Sequence, residues 1–288
     1  MTPTPSATPT PSITPTPGPT ATPSPTVSGE ALLNISTRAR SQTGDNVLIG
    51  GFILGDSSAA KNVVVRALGP SLSPAVVNPL TDPSLQLFNS SGALISSNDD
   101  WMDGPNAQQI IDSGLAPLDS REAAIYTTLG PGAYTTVVPG VDGTDNVALV
   151  EVYDLNSVST PGLLNISTRG SVGTADQVMI AGVIVGGTTT KVVVVRGLGP
   201  SLASAVANPL PNPTLSLFNN FGQQIATNDD WQDTQASDIS GSGLAPAGPL
   251  ESTILALLPP GSYTAILSDV NGFSGVGLIE IYNITSSQ

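Results

Sequence analysis

Pro83–Trp101 reads PSLQLFNSSGALISSNDDW, and Pro213–Trp231 repeats it as PTLSLFNNFGQQIATNDDW. In both copies apolar and polar residues alternate on either side of a short turn, the period of two that marks half-buried strands. Ser90-Ser91-Gly92 and Asn220-Phe221-Gly222 supply the turn, with Gly free to take positive φ. Each hairpin ends in Asn-Asp-Asp-Trp, followed two residues on by a further acid, Asp103 or Asp233. A hairpin that occurs twice implies a β-rich, duplicated chain.

The duplication extends in both directions. Leu32–Arg38 (LLNISTR) recurs unchanged as Leu163–Arg169. VVVRALGPSL from Val63 recurs as VVVRGLGPSL from Val193, SGLAP from Ser113 as SGLAP from Ser242, and VALVEVY from Val147 as VGLIEIY from Val276. A period of about 130 residues suits a complete domain, not a solenoid unit. The first repeat predicts strands near 32–38, 46–55, 61–68, 84–89, 93–97, 123–128, 133–139 and 146–153. A short helix is predicted near 105–112 and again near 234–240. Strands punctuated by Gly, Pro, Asn and Asp every eight to twelve residues indicate an all-β fold of two sandwiches, repeat 1 over 31–158 and repeat 2 over 159–288. A linker of a few residues restricts their relative orientation.

Residues 1–30 are almost entirely Thr, Pro, Ser and Ala. Proline at alternate positions forbids helix and sheet and favours polyproline II, about 3.1 Å per residue. The segment reads as a stalk bearing O-glycans on its threonines or as an unmodified spacer, and either reading places the chain outside the cytoplasm. No signal-peptide pattern follows Met1, so the natural N-terminus is expected further upstream.

The net charge is −14, with only 8 Lys and Arg among 288 residues. That argues against a nucleic acid partner and against docking on anionic membranes. No apolar run is long enough to insert into a membrane. Absence of Cys and His removes thiol nucleophiles, Cys/His zinc sites and Ser-His-Asp triads.

Three sets of residues remain. Asn98, Asp99, Asp100 and Asp103, with Asn228, Asp229, Asp230 and Asp233, offer the hard oxygen ligands that Ca²⁺ prefers, although the spacing is not that of an EF-hand. They suit better a structural corner in which carboxylates cap backbone N–H groups and Trp covers the core. Arg66 and Arg196 lie in apolar strands, as do Glu151 and Glu280. A buried charge needs a partner, so Arg66 is expected to pair with Glu151 and Arg196 with Glu280. A glycosidase would need a second carboxylate across a cleft, and nothing singles one out. Arg38, Arg169, Lys61 and Lys191 are expected as solvated strand ends. Asn34, Asn89, Asn165 and Asn283 begin N-glycosylation sequons, three of them inside predicted strands. Tyr134, Tyr153, Tyr263 and Tyr282 are read as core or sheet-face groups.

The run L-x-L-F-N-x-x-G-x-x-I-x-x-N-D-D-W, then P-G-x-Y-T, then a closing E-(V/I)-Y strand resembles bacterial secreted modules related to the pre-peptidase C-terminal domain. The resemblance covers nearly all of 32–156 and 163–286. It implies jelly-roll-like sandwiches in tandem on exported bacterial proteins, mostly accessory in role, some binding Ca²⁺ or polysaccharide. The LLNISTR and RxLGPSL blocks extend beyond that pattern. The expectation is a non-catalytic extracellular or cell-surface protein, structural or adhesive, in a filament, surface assembly or larger secreted protein. Its partners would be further copies or other surface proteins, by strand addition at exposed sheet edges. The alternative is a Ca²⁺-dependent carbohydrate-binding pair attached to a secreted enzyme.

Overall fold

A computed structural model of the chain describes residues 32–55, 60–156 and 162–285, so the Pro/Thr-rich stalk lies outside the described residues. Repeat 1 contributes β1 (Leu32–Ser41), β2 (Leu48–Leu54), β3 (Lys61–Leu68), β4 (Leu85–Asn89), β5 (Leu94–Asn98), α1 (Ala107–Asp112), β6 (Ala123–Leu129), β7 (Gly132–Val138) and β8 (Asn146–Asp154). Repeat 2 contributes β9 (Leu163–Val172), β10 (Met179–Val185), β11 (Lys191–Leu198), β12 (Pro213–Asn219), β13 (Gln224–Asn228), α2 (Ala236–Gly241), β14 (Ser252–Leu258), β15 (Gly261–Asp269) and β16 (Gly275–Asn283). Strands appear where alternation predicts them, and both helices are single short pieces.

Within repeat 1 the hydrogen-bonded orders are β1-β8-β3-β6 and β2-β7-β4-β5. Repeat 2 reproduces both, as β9-β16-β11-β14 and β10-β15-β12-β13. These are the two four-stranded layers of a jelly roll, so the fold is all-β with two tandem jelly-roll sandwiches. Alternate residues of each layer, such as Val63, Val65, Val150 and Val152 against Leu85, Leu87 and Phe52, fill the space between the layers.

The repeats are joined through their sheets. β1 pairs antiparallel with β10, and β9 pairs antiparallel with β2. Each four-stranded layer of one repeat thereby continues into the other layer of its twin, giving two eight-stranded sheets and one continuous apolar core. The register of the join runs over Leu32–Arg38 on one side and Leu163–Arg169 on the other, which is the LLNISTR block. Ser36 lies opposite Gly182 and Ser167 opposite Gly51. A Cβ at either glycine would come within 2.6–2.7 Å of the serine Oγ, so glycine there admits close approach of the two edges.

Equivalent residues meet about a pseudo-twofold axis between β1 and β9. Leu32 is opposite Leu163 in a parallel bridge, and Thr168 donates its hydroxyl to Thr37 at 2.9 Å, both fully buried. This is the geometry of an isologous dimer interface carried within one chain. The flanking arginines also cross the join. Arg169 donates to the carbonyl of Asp45 at 3.2 Å, and Arg38, half-buried, faces Asp176. Neither is the solvated strand end that its position in sequence suggests, because the end of each first strand is covered by a turn of the other repeat.

Candidate functional site

Apart from the LLNISTR block at the join, the duplicated charged and polar residues gather on the outer face of the β6-β3-β8 layer, under residues 99–121. That segment leaves β5, turns at Trp101, forms α1 and returns to β6 as a flap. Trp101, Ile110 and Ala124 make a second, smaller apolar cluster beneath it, with Ala116 and Tyr126 packed alongside. Trp101 donates its backbone N–H to Glu122 O at 2.9 Å and its indole N–H to Asp119 O at 3.2 Å. Trp231 does the same to Glu251 O and Gly248 O.

Arg66 and Glu151 are direct cross-strand neighbours, and both point outward under the flap, not into the space between the layers. Nε of Arg66 donates to Oε2 of Glu151 at 3.0 Å, and its Nη2 binds the same oxygen. Nη1 donates to the carbonyl of Leu115, in SGLAP, at 2.8 Å. Tyr153 donates to Oε1 of Glu151 at 2.9 Å and lies 5.2 Å from the guanidinium, face on. Repeat 2 has the same set: Arg196 on Glu280 and on Leu244 O, and Tyr282 on Glu280. Burial first, and the Glu280 carboxylate second, push the Tyr282 phenol up to about 12. The arginine thus ties flap to sheet while its charge is met by Glu.

Glu122 and Glu251, not singled out above, are fully buried. Oε1 of Glu122 accepts from Gly69 N and Ser71 N, both at 2.9 Å, and from the Ser71 hydroxyl at 2.6 Å. Glu251 accepts from Gly199 N and Ser201 N at 2.8 and 2.7 Å. This accounts for the LGPSL block. A Cβ at Gly69 would lie 2.0 Å from Leu80 O, so only glycine lets the loop turn onto the carboxylate. The signal was present in the sequence: of five Glu, four form two repeat-equivalent pairs.

Asn98 locks the corner. Its Nδ2 donates to Asp100 O at 3.0 Å, and its Oδ1 accepts from Ala124 N, on the outer edge of β6, at 2.8 Å. Asn106 donates to Tyr126 O farther along that edge. In repeat 2, Asn228 accepts from Thr253 N while Gln235 both donates to Leu255 O and accepts from Leu255 N. The edges of β6 and β14 are therefore closed to an added strand by side chains from the flap. Asn98→Ala is expected to cost about 1–3 kcal/mol, because it leaves the buried N–H of Ala124 without a partner, while the Asp100 carbonyl keeps the N–H of Asp103. A urea midpoint unchanged from wild type would remove Asn98 from this role.

The acids of the corner divide. Asp99 and Asp103 are exposed and Asp100 is half-buried. Among the described residues no three acidic side chains come together as a set that could hold a metal ion. In repeat 2, Oδ1 of Asp229 and Oδ1 of Asp230 are buried without hydrogen bonds. The Asp229 carboxyl is pushed up by burial first, then by Asp230, Asp233 and Asp269. Repeat 1 has Gly140 where repeat 2 has Asp269. An acid whose folded pKa is raised opposes folding while ionised, and the folded state recovers stability as pH falls through that pKa. Asp229→Asn is expected to raise the urea midpoint at pH 7, with the gain shrinking by about pH 4, near the ordinary carboxylate range. A midpoint difference independent of pH would contradict this.

Lys61 is not solvated. It is buried and pairs with Asp154 at 3.0 Å, across the start of β3 and the end of β8. Lys191 is equally buried, and its Nζ donates to Thr189. Tyr134 stacks on Phe52 with ring centroids 5.3 Å apart, and Tyr134 and Tyr263 donate to Gly130 O and Pro259 O, bracing the β6-β7 and β14-β15 turns. One open recess of about 620 Å³ lies in repeat 1 between the Pro70–Thr81 loop, Arg121 and Asn146, with no aromatic residue in its wall. Its arginine is held by Asp119 at 2.8 Å, and repeat 2 has Leu250 in that place.

No protein-family model matches the chain, and no curated protein matches it. Solved structures that align with it include the STIV MCP at 10% identity and TM-score 0.24, over 90% of this chain and 88% of that one. A DUF4785 family protein from Legionella pneumophila aligns at 10% identity and TM-score 0.22, over 91% of this chain and 89% of that one. At such scores the fold rests on strand order alone.

Proposed function

We propose that this chain is a non-catalytic structural or adhesive building block of an extracellular assembly. One observation carries the reading. The duplicated residues capable of chemistry are all engaged in internal fastening: Arg66, Glu151 and Tyr153 with their counterparts tie the flap to the sheet, and Glu122 and Glu251 hold the LGPSL loops. The composition of the stalk supports a surface setting. With β6 and β14 closed, the edges left for strand addition are β5 and β13, short strands carrying the exposed Leu94, Ile95 and Ile225 and no charged residue from 94 to 97 or 224 to 227. Electron microscopy of the purified full chain at rising concentration tests this: filaments or ordered clusters are expected, and dispersed single particles throughout would count against it.

A second reading, Ca²⁺-dependent carbohydrate binding, is favoured by the two bare carboxylate oxygens of Asp229 and Asp230. Asp229 and Asp230 would then supply hard oxygen ligands, with Asp233 drawn in as the ion binds, since the three do not converge beforehand. Calorimetric titration with Ca²⁺, then with polysaccharides, separates the two. Heat of Ca²⁺ binding that disappears in Asp229→Asn would support the second reading, and no heat from either titrant would leave the first.

A further inference from the structure

The chain contains four Asn-x-Ser/Thr sequons, and the fold treats them very differently. Asn34 and Asn165 are buried at the join, their amide nitrogens donating to Val152 O and to Ile166 O and Ile281 O. At Asn283 the hydroxyl of Thr285 accepts from Val192 N and the side-chain oxygen accepts from Thr285 N, both within the closing strand region. Asn89 stands at the β4-β5 turn, followed by the exposed Ser90, Ser91 and Gly92. Its Oδ1 accepts three hydrogen bonds, from Ser91 N at 3.0 Å, Ala93 N at 2.9 Å and the Ser91 hydroxyl at 2.7 Å. Among the described residues nothing accepts a hydrogen bond from its Nδ2.

We propose that Asn89 is an acceptor for an N-linked glycan. An amide nitrogen is a poor nucleophile because its lone pair is delocalised onto the carbonyl oxygen. Three donors aimed at Oδ1 stabilise the negative charge that this oxygen takes up as Nδ2 gives its proton to a base of the transferase. Nδ2 then attacks the anomeric carbon of a sugar carried on a polyisoprenyl pyrophosphate. The new N–C bond forms as the C–O bond to the pyrophosphate breaks, and the pyrophosphate leaves with the electron pair. The hydroxyl two residues after the asparagine, on Ser91, makes the shortest of the three bonds.

Repeat 2 supplies an internal comparison. Asn219 occupies the same turn and accepts from Phe221 N and Gln223 N at 3.0 Å. It has Phe221 in place of the serine, and its Nδ2 is held by Gln223 Oε1 at 3.0 Å. The same turn therefore occurs once with the hydroxyl and a free nitrogen, and once with neither.

The proposal rests on the extracellular reading only in that the chain must meet a transferase, and a purified assay removes that dependence. The folded full chain is incubated with a single-subunit oligosaccharyltransferase that reads Asn-x-Ser/Thr and a lipid-pyrophosphate glycan donor, beside a sequon peptide known to react. Mass spectrometry of the digest is expected to find one glycan, at Asn89. Asn89→Gln abolishes it, Ser91→Ala lowers its rate about tenfold or more, as loss of a hydrogen bond to a developing charge requires, and Ser91→Thr preserves it. Asn34 and Asn165 are modified only after unfolding. If the peptide reacts while folded Asn89 does not, or if Asn89 reacts equally well in Ser91→Ala, the proposal is wrong whatever the chain assembles into.

Discussion

Expressed alone, residues 162–285 are expected to form a homodimer at micromolar concentration. Taking repeat 1 away strips β9 of β2 and β10 of β1, leaving two adjacent strand edges bare. Such edges seek partners, and here the partner is prescribed. The join contacts run through Leu32–Arg38 and Leu163–Arg169, two stretches of identical sequence. A second copy of repeat 2 can therefore offer its own LLNISTR strand to β10 with Ser167 opposite Gly182, as Ser36 is in the intact chain. The pseudo-twofold axis becomes a true one. Sedimentation equilibrium should give twice the mass of the fragment, and Gly182→Val should split the dimer, since its side chain would occupy the space of the serine hydroxyl. Residues 32–156 co-expressed with the fragment should copurify one to one. A folded, monomeric fragment would show that the join is a passive contact.

That joint also marks where sequence reading stops. The alternation around Leu85 and Leu87 fixes strands, and the rarity of charge in VVVR and VEVY brings Arg66 to Glu151, because a strand charge with apolar neighbours must find its opposite nearby. What alternation does not reveal is that a charge on the outer face is buried. Arg66 alternates with Val63 and Val65 in register, so it belongs to the outer face, and it is buried only because residues 99–121 fold back over it. Glu122, just before the predicted strand at 123–128, draws no attention in sequence because its burial comes from the LGPSL turn closing on it. Lys61 reads as solvated for the opposite reason: its partner Asp154 arrives from a strand end 93 residues away in sequence. The joining of the repeats is backbone pairing between edges, which leaves almost no composition signal. Its trace is the unusually faithful LLNISTR block, conspicuous in sequence but without a meaning until the edges are seen to meet. Asn98-Asp99-Asp100-Trp101 is the converse case, a conspicuous cluster of acids in which the asparagine and the tryptophan make the most contacts.

Removing Arg66 is expected to do more damage than any other single change to the flap. Arg66→Met deletes the bonds to Glu151 and Leu115 O and leaves a nearly buried carboxylate with only Tyr153 for company. Breaking one side of a buried ion pair typically costs about 3–5 kcal/mol, because the remaining charge is not compensated. Arg66→Met combined with Glu151→Leu should recover more than half of that loss, since two apolar residues of similar volume leave no stranded charge. Recovery should stop short of wild type, because Leu115 O and the Tyr153 hydroxyl still lack partners. The two tryptophans allow the effect to be located. With Trp231→Phe as background, Trp101 alone reports on the flap of repeat 1, where it is now buried against Ile110 and Ala124. Arg66→Met should shift its emission to the red and open it to acrylamide well below the urea midpoint of the whole chain, and the double variant should reverse both. Equal stability of the single and double variants would mean that the Glu151 charge is comfortable alone, and the arginine would then be a packing residue instead of the tie between flap and sheet.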